Sequence, residues 1–371
     1  MGKKSVAHLT SVHSRSDTRI FHKECRSLRS ASFTVSLIVA DGKGDQEDSG
    51  ISIYDVGRPR NRFDRMLNTG NLILRKASNL DADIYHLHDP ELIPIGLKLK
   101  KLGKKVIFDA HEDVPKQILS KPYLNPVVRK LISKAFEKYE AWACKKFDAI
   151  VAATPFIKNK FLLINEITID VNNYPILGEL KNVSHNSFIN RRDVCYIGGL
   201  TTVRGIKELV LAIGAAKGNS RLKIAGTFSE KNLEVEIKRA AGWARVDVLG
   251  WLDREGVRTL LNSSLAGLVT LHPTPNYIDA LPVKMFEYMS AGLPVIASNF
   301  PGWREIIEGN DCGICVDPLD PESIAAAIDT LTQDPLEAER MGSNGSSAVN
   351  LRYNWQIEKE KLLNLYSMLR E

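Results

Sequence analysis

The stretch Tyr277–Glu308 reads YIDALPVKMFEYMSAGLPVIASNFPGWREIIE and contains a helix, a turn and a strand in close succession. Ala280 to Met289 has the pattern of a helix, and Ser290–Gly292 closes it. The apolar run Leu293–Ser298 is typical of a buried parallel strand. The stretch therefore predicts one helix–strand unit of a parallel α/β sheet.

Two carboxylates in this stretch, Asp279 and Glu287, lie eight residues apart with Lys284 between them. Charged side chains are rarely buried without partners, so this pattern indicates either a solvated helix face or a polar ligand such as sugar hydroxyls. On spacing alone, the solvated face is favoured. Patterns elsewhere in the chain reverse that preference.

Short apolar strands alternate with helices on both sides of this stretch. We expect strands at 5–10, 34–39, 51–56, 84–87, 105–109, 149–153, 169–171, 194–197, 221–225, 246–249 and 266–270. We expect helices at 20–30, 67–78, 90–102, 125–146, 156–161, 205–216, 233–241, 253–263, 321–330 and from about 355. This alternation indicates parallel sheets covered by helices on both faces.

The alternation pauses over residues 172–192, where Pro175, Gly178 and a polar run are typical of an interdomain linker. We predict an N-terminal Rossmann-like domain at 1–175 and a C-terminal one at 190–352. We expect a last helix at 353–371 to pack back toward the N-terminal domain. Ligands of doubly wound sheets bind outside the carboxyl ends of the strands, so we expect the site between the two halves.

Composition sets the outer bounds of this interpretation. The 371 residues are 44% hydrophobic and 25% charged, as in ordinary globular proteins with real cores. No stretch reaches the roughly 18 apolar residues of a membrane span, and no signal-peptide pattern precedes the first strand, so we expect a cytoplasmic protein. The five cysteines suit reduced thiols, and the Cys312–Cys315 pair lacks a second pair to complete a metal site.

The charge is distributed unevenly along the chain. Residues 1–176 hold 29 Lys+Arg and 20 Asp+Glu, a net charge of +9, and the remainder has a net charge of −3. The basic half suits nucleic acid, an anionic lipid surface or a phosphate-bearing acceptor. Basic and apolar side chains are interleaved on the predicted helix 125–146, which suits either docking on an anionic membrane or an ordinary domain helix with a solvated cationic face.

Histidines and acids gather where two predicted strands end, in segments 86–89 and 109–113. Any one of these histidines is ordinarily interpreted as a core residue whose hydrogen bonds are formed within the protein. A cluster of them at strand ends also suits a functional role. No ligand pair has a recognised zinc spacing, so we predict no metal site.

The segment Gly198–Gly205, GGLTTVRG, leads from a strand into a helix. Glycines let backbone approach a ligand, and a helix N-terminus beside Arg204 suits a phosphate. The segment is neither a Walker loop nor a G-x-G-x-x-G fingerprint, so a tight turn with a solvent-facing arginine remains an alternative.

In order and spacing, these motifs together resemble retaining glycosyltransferases of the GT-B fold, glycosyltransferase family 4. In the second half the resemblance is carried by YIGG at 196–199 with RG at 204–205, LKIAG at 222–226, LGW at 249–251, and FEYM with GLPVI at 286–296. In the first half it is carried by DTRIF at 17–21, HLHD at 86–89 and FDAHE at 108–112. It implies two Rossmann-like, doubly wound domains that face each other across a cleft.

The same resemblance implies roles for individual residues. The family's E-x7-E motif falls on Asp279 and Glu287, so Glu287 would bind the ribose hydroxyls of the donor and Asp279 the donor sugar. The family's diphosphate-binding arginine and lysine fall on Gly199 and Arg204, and Lys284 is a candidate second cation.

Four further positions follow from the resemblance. Gly198 would line the donor site, and the backbone around Gly250 and Trp251 would contact the base. His111 matches the histidine near the reacting sugar carbon, where it would position the sugar. The predicted catalytic residues are therefore His111, Asp279 and Glu287, and the resemblance implies neither a metal nor another cofactor.

The predicted activity is retaining transfer of a sugar from a nucleotide sugar to a polyprenyl-diphosphate-linked or oligosaccharide acceptor. The resemblance implies a role in bacterial surface polysaccharide, such as O-antigen, capsule or exopolysaccharide, with peripheral contact at the anionic inner membrane. A nucleotide-sugar epimerase of the same fold is one alternative. A non-catalytic nucleic-acid-binding protein is the other, although no nucleic-acid-binding module is visible.

Overall fold

The computed structural model describes residues 4–121, 125–180 and 188–369. The chain forms two compact units. The N-terminal unit comprises Met1–Asn173 together with Gln356–Glu371, and the C-terminal unit comprises Tyr174–Trp355. The last helix thus belongs to the N-terminal unit. The polar run of the predicted linker, residues 182–187, lies outside the described residues.

The N-terminal unit is built on one eight-stranded sheet. Its strands are β1 (Ser5–Leu9), β2 (Thr34–Val39), β3 (Gln46–Asp48), β4 (Ile51–Asp55), β5 (Ile84–Leu87), β6 (Lys105–Ala110), β7 (Ala149–Ala152) and β8 (Thr168–Asp170). Their order is β3-β4-β2-β1-β5-β6-β7-β8, and every pair is parallel except β3 with β4. The edge strand β3 was not predicted, because its sequence, QED, is short and polar.

Helices cover this sheet. They are α1 (Arg26–Ser30), α2 (Arg62–Asp64), α3 (Gly70–Leu80), α4 (Ile93–Lys101), α5 (Val114–Leu119), α6 (Pro126–Cys144) and α7 (Pro155–Leu162). Two π-helical segments, Thr18–Cys25 and Arg65–Thr69, lead into α1 and α3. Asp17 starts the first of them by accepting hydrogen bonds from the backbone N–H groups of Arg19 and Ile20.

The C-terminal unit has a six-stranded, wholly parallel sheet. Its strands are β9 (Val194–Ile197), β10 (Leu222–Ala225), β11 (Val246–Gly250), β12 (Ala266–Val269), β13 (Val295–Ser298) and β14 (Gly313–Val316), in the order β11-β10-β9-β12-β13-β14. Its helices are α8 (Ile206–Ala215), α9 (Lys231–Ile237), α10 (Arg254–Ser263), α11 (Val283–Ser290), α12 (Pro301–Ile307), α13 (Pro321–Gln333) and α14 (Pro335–Leu351). The predicted doubly wound α/β class is confirmed in both units.

The strand order reverses direction once in each sheet, between β1 and β5 and between β9 and β12. At such a point the flanking connections leave toward opposite faces, which opens a crevice at the carboxyl ends of the strands. Candidate functional residues are therefore expected beyond Leu9 and Leu87 in one unit and beyond Ile197 in the other.

The helix of the opening stretch begins later than predicted. Pro282 has an extended ψ of 122° and precedes the first helical residue, Val283, so the predicted start at Ala280 is wrong. The residue before a proline is biased away from helical geometry, which keeps Leu281 outside the helix. Asp279 consequently lies in a turn over residues 275–279 rather than at the helix start.

The last helix, α15 (Trp355–Met368), is anchored to the N-terminal unit. The Glu358 carboxylate accepts a 2.8 Å hydrogen bond from the backbone N–H of Asn172, and the Lys361 ammonium contacts Asp170 at 2.9 Å. Among the described residues, no helix combines the length and apolar character that crossing a bilayer requires.

Candidate functional site

A loop of adjacent glycines follows β9 in the C-terminal unit. The Gly198 φ of +137° is a conformation that side-chain-bearing residues rarely adopt. The fully buried Tyr288 hydroxyl accepts a 2.9 Å hydrogen bond from the backbone N–H of Ile197, which ties the end of β9 to α11. The Tyr196 hydroxyl donates to the Gly199 carbonyl at 3.0 Å. The backbone of Gly198 and Gly199 is therefore accessible to a ligand at the point where the strand order changes direction.

Two cations face these glycines. A Cβ on Gly198 would lie 2.8 Å from the Lys284 Nζ and 3.2 Å from an Arg204 Nη, and a Cβ on Gly199 would lie 3.2 Å from the same Arg204 nitrogen. The absence of side chains at both positions thus leaves the room that the cations occupy. Gly205 adopts φ +73° and begins α8 directly behind Arg204.

The Lys284 ammonium is shielded from solvent and makes no hydrogen bond to any described residue. It lies 3.8 Å above the ring of Tyr196. Burial, followed by the neighbouring Arg204, lowers the pKa of Lys284 well below its usual value. An anion bound beside it would restore the charged form, because the missing hydrogen-bond acceptor and the missing negative charge would arrive together.

A cavity of about 220 Å³ opens beside the glycines. It is lined by residues at the ends of β9, β10 and β11 and in the first turns that follow: Ile197, Gly198, Gly199, Ala225, Gly226, Thr227, Trp251, Leu252 and Val257. The Trp251 residue is 76% exposed and so offers an aromatic surface to a ligand. Gly250 takes φ +68°, and its carbonyl accepts a 2.7 Å bond from the Gly226 N–H.

Glu287 lies one helical turn after Lys284 on α11, while Met285, Phe286, Tyr288 and Met289 face the core. The Glu287 carboxylate receives a 2.7 Å charge-assisted hydrogen bond from Arg254, which also contacts Glu179 at 2.7 Å. Asp253 caps α10 through the Gly256 N–H and so positions Arg254 in its first turn. Glu287 is therefore a held carboxylate and not a solvated one.

A second group of polar residues lies at the carboxyl ends of β1, β5 and β6 in the N-terminal unit. Its centre is Asp109, which is fully buried and bonded through both oxygens to Arg19 at 2.8 and 2.9 Å. Burial opposes ionisation of Asp109, but Arg19 and then His111 outweigh it and hold the pKa of Asp109 well below its usual range. An ionised carboxylate is thus fixed beneath the strand ends.

His111 stands at the outer side of that carboxylate, with its side chain 18% exposed. Its Nε2 lies 2.8 Å from Asp109 Oδ2 and 3.3 Å from the Nδ1 of His88. The buried carboxylate therefore fixes the orientation of a partly exposed imidazole, which is the geometry of a group that positions or polarises a bound substrate.

Matches to known protein families cover both units. Residues 179–348 match the family model described as glycosyl transferases group 1, and residues 18–167 match that of Glycosyltransferase Family 4. The chain carries both domains of a GT-B glycosyltransferase.

Sequence alignments with two known proteins cover most of this glycosyltransferase. It is 24% identical over 310 residues to an uncharacterized glycosyltransferase of Methanocaldococcus jannaschii. This alignment covers 78% of the present chain and 76% of that protein. It is 22% identical over 312 residues to a glycogen synthase of Mycobacterium tuberculosis, with coverage of 74% and 73%.

Solved structures agree on the fold. A sucrose-phosphate synthase from Thermosynechococcus elongatus superposes with a TM-score of 0.82 at 17% identity, covering 99% of both chains. Anabaena HepE in complex with UDP and glucose gives a TM-score of 0.76 at 14% identity, covering 98% of this chain and 100% of that one. At these identities the likeness establishes the GT-B fold.

Several of the predicted donor-site residues lie together in the C-terminal unit of this glycosyltransferase. Gly198, Gly199, Arg204 and Lys284 are in mutual reach, and Trp251 lines the same cavity as the glycines. Asp279 is in the turn before α11, and His111 belongs to the other unit. Their predicted roles toward a donor sugar remain predictions.

Sequence reasoning missed two parts of these sites. Arg254, the partner of Glu287, gave no signal because the two residues are 33 positions apart. His8 and Glu24 are fully buried beside His86 and His88, but each stands alone among apolar or ordinary helical neighbours in the sequence. Pairing of β1 with β5 is what brings His8 opposite His86.

An exposed surface on α6 carries apolar and basic side chains together. Val127, Val128, Leu131, Ile132 and Trp142 are exposed hydrophobic residues on this helix. Lys130, Lys134 and Lys138 are exposed among them, and Lys146 stacks 3.5 Å above the ring of Trp142. We call this set of residues the α6 surface.

Proposed function

We propose that this GT-B glycosyltransferase moves a sugar from a nucleoside diphosphate sugar to an acceptor, with retention of configuration at the anomeric carbon. The observation that carries the proposal is the buried, unpaired Lys284 ammonium beside Arg204 and the open backbone of Gly198 and Gly199. A diphosphate offers the anionic oxygens that this arrangement lacks.

The proposed reaction breaks the bond between the anomeric carbon and the diphosphate oxygen. Positive charge then develops on the sugar ring and negative charge on the leaving diphosphate, as on the sugar side of glycoside hydrolysis. Arg204 and Lys284 stabilise the leaving group, so we propose that no metal ion is needed for departure. The acceptor oxygen attacks from the face that the diphosphate leaves, which retains the configuration.

In the proposed complex, the carboxylates of Glu287 and Asp279 accept hydrogen bonds from hydroxyl groups of the donor. Glu287, with one oxygen held by Arg254, offers its other oxygen to the ribose hydroxyls. Asp279 meets the hydroxyls of the donor sugar, and Trp251 with the Gly250 backbone faces the base. His111, oriented by Asp109, positions the reacting sugar.

Two of the structural neighbours support a nucleoside diphosphate donor. HepE of Anabaena was solved with UDP-glucose, and a trehalose-6-phosphate protein of E. coli was solved with UDP-2-fluoro glucose. Their sequence identities of 15% and 14% do not transfer a base or a sugar to this chain. The donor class is therefore proposed, and the base and sugar are left to experiment.

The experiment is incubation with a panel of UDP-, GDP- and ADP-sugars, measuring released nucleoside diphosphate and the anomeric configuration of the product by NMR. Release that depends on a polyprenyl-diphosphate-linked or oligosaccharide acceptor supports the proposal. Epimerised free sugar without an acceptor would instead identify a nucleotide-sugar epimerase. No turnover with any donor and acceptor pair, and an inverted product, would each contradict the proposed reaction.

We further propose that the acceptor is lipid-linked, in bacterial surface polysaccharide synthesis, and that the enzyme works as a peripheral protein on the cytoplasmic face of the membrane. The α6 surface supports this, because exposed apolar and basic groups on one helix match an anionic lipid interface. Each lysine near such an interface contributes about 1 kcal/mol.

Vesicle flotation tests the membrane proposal. Binding to phosphatidylglycerol vesicles should fall with salt and be lost when Lys130, Lys134 and Lys138 are all replaced by glutamine. The matched control replaces Lys98 and Lys101, which are exposed on α4 with one exposed large hydrophobic neighbour, Leu102, against five on α6. Equal flotation of the two variants would show that the α6 surface is an ordinary solvated face.

A further inference from the structure

One helical run of the N-terminal unit begins with turns that contribute nothing to the core. The short helix α2, the π-helical segment Arg65–Thr69 and α3 follow one another without a break. Helix α3 packs one side into the unit through Ile73 and Ala77. No residue of the run before Thr69 is buried. The start of the run therefore faces outward.

Large apolar side chains occupy this outward-facing start. Phe63 is 78% exposed, Met66 is 56% exposed and Leu67 is 69% exposed. Because they are spaced by three and four positions, they lie on one side of the helical run. Single exposed apolar residues are ordinary on protein surfaces, whereas a contiguous group of them marks an interaction site. A partner with an apolar part is therefore expected here.

Basic side chains flank the three apolar ones. Residues 58–67 contain four arginines and one acidic residue, Asp64, a net charge of +3. Arg60 lies 3.7 Å from Asp64, whereas the exposed Arg58 and Arg62 form no ion pair with any described residue. A free guanidinium group suits a phosphate, which it can bind through two hydrogen bonds. We call the following residues the 58–67 surface: Arg58, Arg62, Phe63, Met66 and Leu67.

A carboxylate joins this surface to the strand ends of the N-terminal unit. Arg65 donates a 2.8 Å hydrogen bond to Glu91, which lies in the turn after β5. The hydroxyl of Ser11, in the loop after β1, donates to the same carboxylate oxygen at 2.5 Å. The next residue of that loop, Val12, is 53% exposed. The 58–67 surface thus adjoins the carboxyl ends of β1 and β5.

The loop after β1 continues to the partly exposed imidazoles. His13 lies two residues after Ser11, and its Nδ1 is 3.2 Å from Asp17 Oδ2. The centre of its ring is 5.0 Å from that of His111, the residue proposed to position the reacting sugar. One short loop therefore separates a molecule on the 58–67 surface from His111.

We propose that the 58–67 surface binds the acceptor through a phosphate group that is joined to an apolar chain. A purely anionic partner would leave the three apolar side chains uncovered, and a purely apolar one would leave Arg58 and Arg62 without a counter-charge. An acceptor held here by its phosphate and chain has its sugar end directed toward His111. The inference rests on the proposed function, because it assigns a place to the acceptor of that reaction.

The test is calorimetric binding of geranyl diphosphate to the full-length protein with no donor present. Geranyl diphosphate should bind at least about tenfold more tightly than inorganic diphosphate, which lacks the chain, and than geraniol, which lacks the phosphates. Equal affinity for geranyl diphosphate and inorganic diphosphate would overturn the proposal. Absence of binding at millimolar geranyl diphosphate would do the same.

Paired substitutions locate the probe on the protein. Arg58→Gln with Arg62→Gln should weaken binding about tenfold or more. Phe63→Gln with Leu67→Gln should do so as well, because the chain loses its apolar contacts. The Tm of both variants should be unchanged, since all four side chains are exposed.

Exposed residues elsewhere in the same unit supply the matched controls. Lys98→Gln with Lys101→Gln removes two exposed cations of α4. Leu163→Gln removes an apolar side chain that is 90% exposed. Both controls should bind geranyl diphosphate as the wild type does, and equal weakening in the controls and in the surface variants would overturn the assignment.

Three other occupants would each overturn the assignment by a distinct result. Binding that is lost in Arg204→Ala but kept in the arginine pair variant would place the probe in the donor site. Reduced flotation of the Phe63→Gln, Leu67→Gln variant on phosphatidylglycerol vesicles, with unchanged affinity for the probe, would identify the membrane itself. A wild-type dimer that this variant converts to a monomer in sedimentation would identify a second copy.

The binding result is separate from the outcome of the transfer reaction. Because no donor is present, a protein that transfers no sugar can still bind geranyl diphosphate on the 58–67 surface, and the proposed function alone then fails. Acceptor-dependent transfer that is equally fast in the wild type and in both surface variants would instead overturn this inference and leave the proposed function in place.

Discussion

The two strand-end sites of this glycosyltransferase are built by opposite means. In the N-terminal unit, buried ionisable side chains hold one another, with Arg19 and Asp109 joined by two hydrogen bonds and His111 resting on that carboxylate. In the C-terminal unit, the glycines Gly198, Gly199 and Gly226 expose backbone along the cavity, and the Lys284 side-chain nitrogen has no hydrogen bond to any described residue.

The difference shows what each unit can offer a ligand. A carboxylate that is already saturated adds rigidity to a neighbouring imidazole but has little capacity left for a new partner. An unpaired, desolvated amine can still form new hydrogen bonds, and a bound anion would restore its charge. Damage to the first site should therefore appear mainly in stability, and damage to the second mainly in catalysis.

The largest expected effect is on the N-terminal unit. Asp109→Asn leaves the buried Arg19 without its main counter-charge, and removing one partner of a buried ion pair costs about 3–5 kcal/mol. Urea unfolding followed by fluorescence should show this loss. The control is Asp45→Asn, because Asp45 pairs with Lys76 at an exposed position, where about 0–1 kcal/mol is expected. Equal midpoints for the two variants would refute the stability role of Asp109.

The next effect should be catalytic. Arg204→Ala removes one of two cations proposed for the leaving diphosphate, and loss of one such group costs about 10²–10³ in kcat. Stability should change little, because Arg204 is only partly buried and forms no ion pair with a carboxylate among the described residues. Lys207→Ala, three residues along and paired with Glu236 on the surface, is the matched control. If Arg204→Ala turns over as fast as this control, Arg204 does not stabilise the leaving diphosphate.

Sequence patterns could predict the fold class and the glycine loop that follows β9. Apolar runs locate the parallel strands, and the short motifs at their ends, such as YIGG at 196–199, locate loops that are local in the sequence. The sequence therefore pointed to Gly198, Gly199 and Arg204, which lie together in the structure, and their binding of a donor stays a prediction. The helix start was wrongly predicted at Ala280 because the apolar pattern continues across Pro282. The extended backbone at Pro282 shows that the helix begins at Val283.

The rest depends on contacts between distant parts of the chain. Arg254 is identified as a partner of Glu287 only when α10 and α11 are packed. Glu24 lies on a helical segment whose period gives no hint that three imidazoles from β1 and β5 surround it. Long-range pairing and register, which a single sequence does not encode in any local pattern, decide both cases.

Acid should weaken the N-terminal unit through its paired carboxylates. Burial opposes ionisation of Asp170, but Lys158 and Lys361 outweigh it and lower its pKa from 3.8 to about 2. A depressed folded-state pKa gives stability that is complete above about pH 4 and is lost as the pH falls toward 2. The loss should be about 2 kcal/mol. Denaturation profiles between pH 5 and 2 should be flatter in Asp170→Asn, and parallel profiles would contradict this assignment.

The smallest effect should come from releasing the held carboxylate of the C-terminal unit. Arg254→Ala frees Glu287 from its 2.7 Å contact, so the carboxylate samples more rotamers and orders less well around a ribose. We expect about a tenfold rise in the donor KM, near 1.4 kcal/mol, with kcat nearly unchanged. Arg258→Ala is the control, since Arg258 lies on the same helix and contacts only Glu255 among the described ion pairs. A fall in kcat without a change in KM would show that Arg254 acts on the reacting bond and not on donor binding.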